Sequence, residues 1–375
     1  MWIGQEQKRA DACDVVVVGA GLVGAAVAVR LAQEGFDTAV LEAKSVAGGA
    51  TGRSAGMVIT GLAGHYNRAV SAYGRQKARE IWALTVEGRE RLVETAVRLE
   101  VPIEHTGSLA LAVEEAEVDA LRESAELLRE DGFDAWFGSS DPLNRGFRAA
   151  MRQPDDVIVD AAALTRALLT TSGVAVHEGT EVYHLEPEGD GVRVWARGRT
   201  VLCGAVVLAI NGYAPLFDFY FTDKIAPTRG LIFATKPLGG MVLEQPCYAD
   251  YGHEYCRQLP DRRLLLGGWR RPHISRREAS QENEPDDVVQ GGLIRFASRH
   301  FPEIETRSAD RWSGTMGFTT DGLPLLGRLP DLQRVHFAVG FGGRGLAWAF
   351  VVADQLVELM LHDADSGVLS AARLT

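Results

Sequence analysis

Residues 14–18 (DVVVV) form a continuous apolar run, the pattern of a parallel strand buried on both faces. A glycine-rich turn follows, then Ala25 to Gln33 carries a helical period and Gly35 supplies its stop. Thr38 to Leu41 reads as a second strand ending at Glu42. These pieces make a βαβ opening of about 30 residues. The next segment, AGGATGRSAGMVITGLAG from Ala47 to Gly64, breaks the alternation. It holds six glycines in eighteen positions and predicts a long ordered loop, because Met57, Val58 and Ile59 are poor candidates for permanent exposure.

Helical periods rich in Arg and Glu occupy 74–101 and 114–131. A turn region at 138–147 and the acidic pair Asp155/Asp156 precede a helix from Asp160 to Thr171, with Asp160 as its N-cap. From Val174 the period changes to two. Strand candidates lie at 174–177, 180–187, 191–197 and 200–209, and Gly189-Asp190-Gly191 turns between two of them. This meander ends in a buried strand, Ala205 to Ile210, that meets Asn211-Gly212. Residues 213–310 are more strand-like and aromatic, interrupted by one helix at 285–299, and read as a second domain. The strand–turn–helix pattern of the opening then returns. An apolar strand runs from Val335 to Val339, a glycine turn from Gly340 to Gly345, and a helix from Leu346 to Leu361. The expected organisation is a discontinuous nucleotide domain of 14–85, 150–212 and 311–375, with a second domain of 86–149 and 213–310.

Composition sharpens this picture at three points. Glycine makes up 41 of 375 residues, about 11% against a usual ~7%, an excess that serves tight turns and close backbone approach to a ligand. Lys and Arg number 39 and Asp and Glu 50, leaving a formal charge of −11 with no basic block; nucleic acid and anionic membranes are poor partners. Cys13, Cys203, Cys247 and Cys256 form no CxxC pair or Cys/His cluster, which offers nothing to zinc or dithiol chemistry and suits a reducing compartment. The polar start, Met1 to Asp14, does not read as a signal peptide. Val15–Leu31 is broken by three glycines and Leu346–Leu361 carries Asp354, Gln355 and Glu358, so neither reaches the ~18 uninterrupted apolar residues of a spanning helix. A cytoplasmic protein with no membrane span is expected.

Gly19-Ala20-Gly21-Leu22-Val23-Gly24 is a GxGxxG fingerprint between strand and helix. Gly19 permits the tight turn, Gly21 lets backbone reach a pyrophosphate, and Gly24 lets helix pack on strand. The helix N-terminus then offers free N–H groups and partial positive charge to phosphates. Glu42 stands 42 − 19 = 23 residues after the first glycine, where its carboxylate can accept ribose hydroxyls and repel a 2′-phosphate. A dinucleotide site is the expectation. A regular nicotinamide domain would continue with further βα units. Here the second strand runs instead into Ala50-Thr51-Gly52-Arg53-Ser54-Ala55-Gly56, a loop able to wrap a cofactor with hydroxyls, N–H groups and one guanidinium.

The fingerprint and the ATGRSAG loop are joined by a C-terminal block, Trp312-Ser313-Gly314 … Thr320-Asp321-Gly322-Leu323-Pro324 … Gly327, then FGGRGLAWAF. In this order, over almost the whole chain, they resemble the D-amino-acid-oxidase-like superfamily of FAD oxidoreductases. The GRSAG element is most similar to the loop of the gamma-glutamylputrescine oxidase group. The resemblance implies an α/β fold, α+β in the second domain: a glutathione-reductase-like FAD-binding Rossmann domain beside a mixed-sheet substrate domain. It also implies contacts. Gly21, Leu22 and Val23 would lie against the pyrophosphate, Glu42 and Ala43 at the adenosine ribose, and Thr51, Arg53 and Ser54 near pyrophosphate and flavin. Val182 would offer its backbone to adenine, and Gly342, Gly343, Gly345 and Leu346 would meet the pyrimidine edge of the isoalloxazine. This last group has an independent reason. Hydride arrival at flavin N5 leaves negative charge on N1 and the C2 oxygen, and amides at a helix start are suited to stabilise it.

Where relatives attach flavin through a cysteine in the C-terminal block or a histidine in the loop, this chain has no Cys in 312–345 and carries Arg53; non-covalent FAD is expected. Met316 stands where glycine-oxidase-like sequences carry an arginine for the substrate carboxylate, which favours extended or secondary amines over simple amino acids. Leu265 stands near the place of the oxygen-activating lysine of sarcosine oxidases, which weighs against oxidase activity; the expected electron acceptor is O2 or another oxidant.

On the substrate side, Tyr251, His253 and Tyr255 alternate ahead of a strand from Arg263 to Trp269, and alternate strand residues share a face. Tyr251, Tyr255 and Trp269, with Arg53 from the loop, are the candidates at the reacting centre. His65 is a further candidate with a competing structural role, and Arg270 or Arg271 could pair a carboxylate. The expected reaction is oxidation of a C–N bond of an amine or amino acid to an imine by hydride transfer to flavin N5. The cofactor carries the chemistry while the protein orients and desolvates. FAD-dependent 2-hydroxy acid oxidation is the alternative among flavoenzymes. An NAD-dependent Rossmann dehydrogenase and a non-catalytic FAD-binding module are the alternatives outside them.

Overall fold

A computed structural model describes residues 11–268, 287–306 and 309–374. The strand Asp11–Val18 sits at the centre of the first sheet, parallel to Thr38–Leu41 on one side and Arg199–Leu208 on the other. Its valines alternate between two cores. Val15 and Val17 face the helices Leu22–Gln33 and Gly345–His362, while Val16 and Val18 face a layer built on Phe221 and Phe337. This explains the unbroken apolar run: a strand buried on both faces has no polar side to show.

Leu332–Val339 extends the parallel order beyond Arg199–Leu208, and Ala175–His177 extends it beyond Thr38–Leu41. The meander expected over 174–209 is therefore shorter by one strand. Val182–Glu188, Gly191–Ala196 and Arg199–Leu208 form the antiparallel ribbon, and Ala175–His177 crosses to the far edge of the parallel sheet. The helix expected over 74–101 is Arg75–Arg98, preceded by a separate helix, Tyr66–Tyr73, with Gly74 between them at φ 79°. Asp160 caps the helix Ala161–Ser172 as expected, accepting the Ala163 N–H at 2.9 Å. Gly345–His362 is long and apolar enough to cross a membrane by length and composition. Its Trp348, Val351, Val352 and Leu356 are nevertheless buried in the core shared with Leu22–Gln33.

The second sheet runs in the order Asp310–Thr319, Ile225–Ala234, Leu264–Gly268, Glu254–Gln258, Cys247–Ala249, Ser108–Ala112, Ala149–Gln153, Trp136–Gly138. It draws in Ala149–Gln153 and Asp310–Thr319, segments that the sequence groups with the nucleotide part. One face packs on the helix Asp287–His300 through Leu231, Phe233, Leu266 and Phe296. The other face turns toward the glycine-rich loop, where Ala55, Met57 and Ile59 meet Ile232, Ala234 and Leu265. A three-stranded sheet of Met57–Val58, Val157–Val159 and Ile103–Glu104 holds that loop in place. The loop is thus ordered because its centre pairs into this small sheet, with Met57 and Ile59 packed on the second sheet and Val58 on Leu22, Leu92 and Ala347.

Candidate functional site

Four adjacent parallel strands end along one edge of the first sheet, in the order Thr38–Leu41, Asp11–Val18, Arg199–Leu208, Leu332–Val339. Their continuations are Glu42, the Gly19–Gly24 fingerprint, Asn211 and the turn that begins at Gly340. Ligands of open α/β sheets bind at such carboxyl ends. Gly19 has φ 105°, and a Cβ on it would lie 2.8 Å from the Ala209 carbonyl oxygen. A Cβ on Gly24 would overlap the Gly19 carbonyl, so helix and strand pack at this glycine. Glu42 receives the Ala20 N–H on Oε2 and the Lys44 N–H on Oε1, both at 2.8 Å, which fixes its carboxylate beside the fingerprint. Ala43 next to it is exposed. The Leu22 N–H donates to Thr51 Oγ1 at 3.1 Å. Among the described residues the N–H groups of Gly21, Val23 and Gly24 have no acceptor. Unsatisfied donors at a helix start, beside an anchored acid, fit the pyrophosphate and ribose of a dinucleotide. Val182 is buried at the start of its strand, and the chain before it is tied to the Glu42 region by Thr180 N–H to Glu42 O at 2.8 Å.

Thr51, Arg53 and Ser54 lie on one short helical turn, Ala50–Arg53, and its end. Ser54 Oγ donates to the Thr51 carbonyl at 2.9 Å. Arg53 spans toward the second sheet, donating from Nε to Gly48 O at 3.2 Å and from Nη1 to Ser313 O at 2.7 Å. Trp312 Nε1 returns a bond to Arg53 O at 3.0 Å. In this arrangement Arg53 braces the loop against Trp312-Ser313.

The C-terminal turn carries three glycines at positive φ: Gly340 at 79°, Gly342 at 56° and Gly343 at 79°. Gly345 opens the helix, and among the described residues the N–H groups of Gly343, Gly345 and Leu346 have no acceptor. Leu22 and Ala347 belong to one buried cluster, so the two glycine-rich helix starts meet across the sheet edge.

The substrate side departs from the sequence expectation. Tyr255 does lie on a strand, Glu254–Gln258, with its ring over Gly267. Tyr251 does not share that strand. It sits in the hairpin turn at φ 56°, after Asp250 at φ 50°, and turns aside to pack on His65, with Arg68 4.1 Å above its ring. Two successive left-handed residues break the period-two alternation that paired Tyr251 with Tyr255. The partner of Tyr255 is Tyr248, directly opposite in register, with ring centroids 5.8 Å apart. Trp269, Arg270 and Arg271 lie outside the described residues. His65 begins the helix Tyr66–Tyr73 and bonds the buried Glu117 at 2.9 Å, which also accepts the Tyr251 N–H at 2.6 Å. That is a structural assignment. His253 stands half-buried in the same turn, Leu265 is buried among Ile59 and Ile232, and the Met316 side chain reaches over Gly230.

Arg344 is the residue that the sequence did not single out. It follows the three glycines, and its Cζ lies 4.4 Å from the Tyr248 ring centroid. Both line a cavity of about 30 Å³ with Thr60, His65, Ser108 and Gln153, room for roughly one water molecule. Behind it Asp156 is fully buried. Its carboxylate accepts the Thr60 N–H and Oγ1, each at 3.1 Å, and Ser108 Oγ at 2.6 Å. Burial holds its pKa above the ordinary carboxylate value, against these hydrogen bonds.

Comparison with known proteins agrees with this geometry. The chain is 27% identical to glycine oxidase of Bacillus licheniformis over 93% of each chain. It is 25% identical to gamma-glutamylputrescine oxidoreductase of Escherichia coli, over 94% of this chain and 84% of that one. In fold it is similar to glycine oxidase from Geobacillus kaustophilus, with TM-score 0.79 and 22% identity over 95% of this chain and 96% of that chain. The family model for DAO, "FAD dependent oxidoreductase", matches residues 14–359. The nicotinamide alternative falls with that match, and the chain belongs to the DAO family of FAD-dependent oxidoreductases.

Proposed function

We propose that the protein oxidises a C–N bond of an amine or amino acid to an imine, at a site between the Gly340–Leu346 turn and the Tyr248–Tyr255 face of the second sheet. The observation that carries this reading is the convergence at one sheet edge: fingerprint, Glu42 and C-terminal turn meet, and the last of these leads into Arg344 at the cavity. FAD is held in this reading by Gly19, Gly21, Leu22, Val23 and Gly24, by Glu42 and Ala43, and by Thr51, Arg53 and Ser54. Val182, Gly342, Gly343, Gly345 and Leu346 complete the set. Bound FAD supplies the acceptor for two electrons and one proton as the substrate C–H and N–H bonds break and C=N forms; the second proton leaves to solvent. Water then hydrolyses the imine to a carbonyl compound and ammonia, or an amine where the nitrogen was substituted.

The chain's own residues bind and orient. Arg344, stacked on Tyr248, offers a planar guanidinium suited to a carboxylate, a role Met316 cannot fill. Tyr255 and Tyr248 offer apolar area beside it, and Leu265, Ile59 and Ile232 keep the neighbouring space dry. The substrate reading therefore moves from extended or secondary amines in general toward amines that carry a carboxylate. Relatives named for glycine and for gamma-glutamylputrescine make amino acids and extended amines the two classes to compare. The division into a cofactor domain and a substrate domain, with Asp310–Thr319 serving both, belongs to this proposal, as does a cytoplasmic location suited to four free cysteines. Non-covalent FAD is supported by the absence of cysteine from 312–345 and of histidine from 48–57, the segments through which relatives would attach it.

The test is steady-state kcat/KM for amines, matched α-amino acids and matched 2-hydroxy acids. The proposal expects carbonyl and ammonia or amine products from a nitrogen substrate. Preference for a 2-hydroxy acid would transfer the assignment to the alternative flavoenzyme chemistry.

A further inference from the structure

We propose that Asn211 is a positioning residue for the flavin: its side-chain oxygen sets the backbone of the Gly340–Gly345 turn. Oδ1 accepts two successive backbone N–H groups, Gly340 at 3.1 Å and Phe341 at 3.2 Å. Asn211 itself stands at φ 44°, in the left-handed region that Asn tolerates better than most residues. The strand Asp310–Thr319 of the second sheet closes around it. A Cβ on Gly317 would lie 2.9 Å from Asn211 Oδ1, and a Cβ on Gly212 would lie 2.7 Å from the Met316 carbonyl carbon. The Gly317 carbonyl in turn accepts the Gly342 N–H at 2.9 Å. The turn is thus gripped from two sides, by Asn211 from the first sheet and by Gly317 from the second.

The need for such a grip follows from the sequence. Four of the six residues from Gly340 to Gly345 are glycines, and a glycine-rich segment has little conformational preference of its own. Its N–H groups can stabilise charge only if they are held before the charge arrives. Asn211 does this with a neutral acceptor. An aspartate would accept the same two N–H groups, yet it would add a full negative charge beside a cofactor that becomes more negative on reduction.

This inference rests on flavin lying against the turn, so the experiment separates the two. Amide exchange of wild-type apoprotein with and without FAD reads the placement, and slower exchange over 340–348 is expected. Asn211→Asp and Asn211→Gly are then compared with wild type by FAD dissociation constant, flavin midpoint potential and visible spectrum. Glycine keeps the left-handed backbone and deletes the acceptor. Asn211→Gly is expected to weaken FAD binding about tenfold or more, with an altered flavin spectrum. Asn211→Asp is expected to retain affinity within about threefold and to lower the potential. FAD protection at 340–348 with unchanged FAD affinity and spectrum in Asn211→Gly overturns the inference alone. No protection there overturns the placement on which it rests. If the glycine variant does not fold, the potential of the aspartate variant decides.

Discussion

The Arg344 guanidinium lies over the Tyr248 ring, 4.4 Å from its centroid, and both line the same small cavity. The ring restrains a side chain that otherwise has four rotatable bonds, so less freedom remains to be lost when an anion binds. Arg344→Met should lower kcat/KM for a carboxylate-bearing amine by roughly tenfold to a hundredfold. The matched amine without a carboxylate should change little. Equal losses for both substrates would show that Arg344 does not recognise the carboxylate.

Glu42 is fixed by the N–H groups of Ala20 and Lys44, yet each carboxylate oxygen keeps a lone pair for a ribose hydroxyl. Glu42→Ala should weaken FAD binding at least about tenfold, since charge-assisted hydrogen bonds are worth roughly 1.5–3 kcal/mol each. Titration of apoprotein by flavin fluorescence measures this. Unchanged affinity would place the acid away from the ribose.

Gly88 lies where the helix Arg75–Arg98 crosses the start of the helix Gly345–His362. A Cβ there would overlap the Ala347 carbonyl oxygen and lie 3.0 Å from its carbon. Gly88→Ala should destabilise the fold by about 1–3 kcal/mol through overpacking. It should also loosen FAD, because it displaces the turn ahead of Leu346. Thermal melts with and without added FAD read both effects, and a wild-type melt in both states would refute the crossing.

His336 sits in the strand Leu332–Val339 and accepts Arg328 Nε on its Nε2 at 3.0 Å. Burial, and then the nearby Arg328 charge, lower its pKa from 6.5 to about 4. Between those values the unfolded chain binds the proton and the native chain does not. Native stability from this site is therefore complete above pH ~6.5 and declines as pH falls toward ~4, by an order of 3 kcal/mol at most. His336→Gln should flatten the dependence of melting temperature on pH across that window. An unaltered slope would show that other groups dominate it.

Much of the cofactor side was legible in the sequence because it is local. The valine run, the fingerprint, Glu42 and the Gly340–Gly345 turn each lie within a few residues of one strand end, and periodicity locates strand ends. The substrate side was not legible for a physical reason. Tyr248 meets Tyr255 only because the hairpin turns through Asp250 and Tyr251 in left-handed conformations that sequence alternation does not reveal. Arg344 stands inside the glycine turn, but its partner Tyr248 lies about a hundred residues earlier on another sheet. Asn211 reads in the sequence as a strand terminus, while its bonds to Gly340 and Phe341 depend on parallel pairing across the chain.

The proposed function requires that the bound flavin accept electrons from a C–N bond. Anaerobic mixing of the purified holoprotein with a panel of amines, amino acids and 2-hydroxy acids, followed by the absorbance near ~450 nm, addresses this without any electron acceptor present. At least one amine or amino acid should bleach that band and leave an imine-derived carbonyl product in equal amount to the flavin. A band bleached only by 2-hydroxy acids, or by none of the panel while dithionite still bleaches it, would rule out C–N oxidation as the reaction of this site.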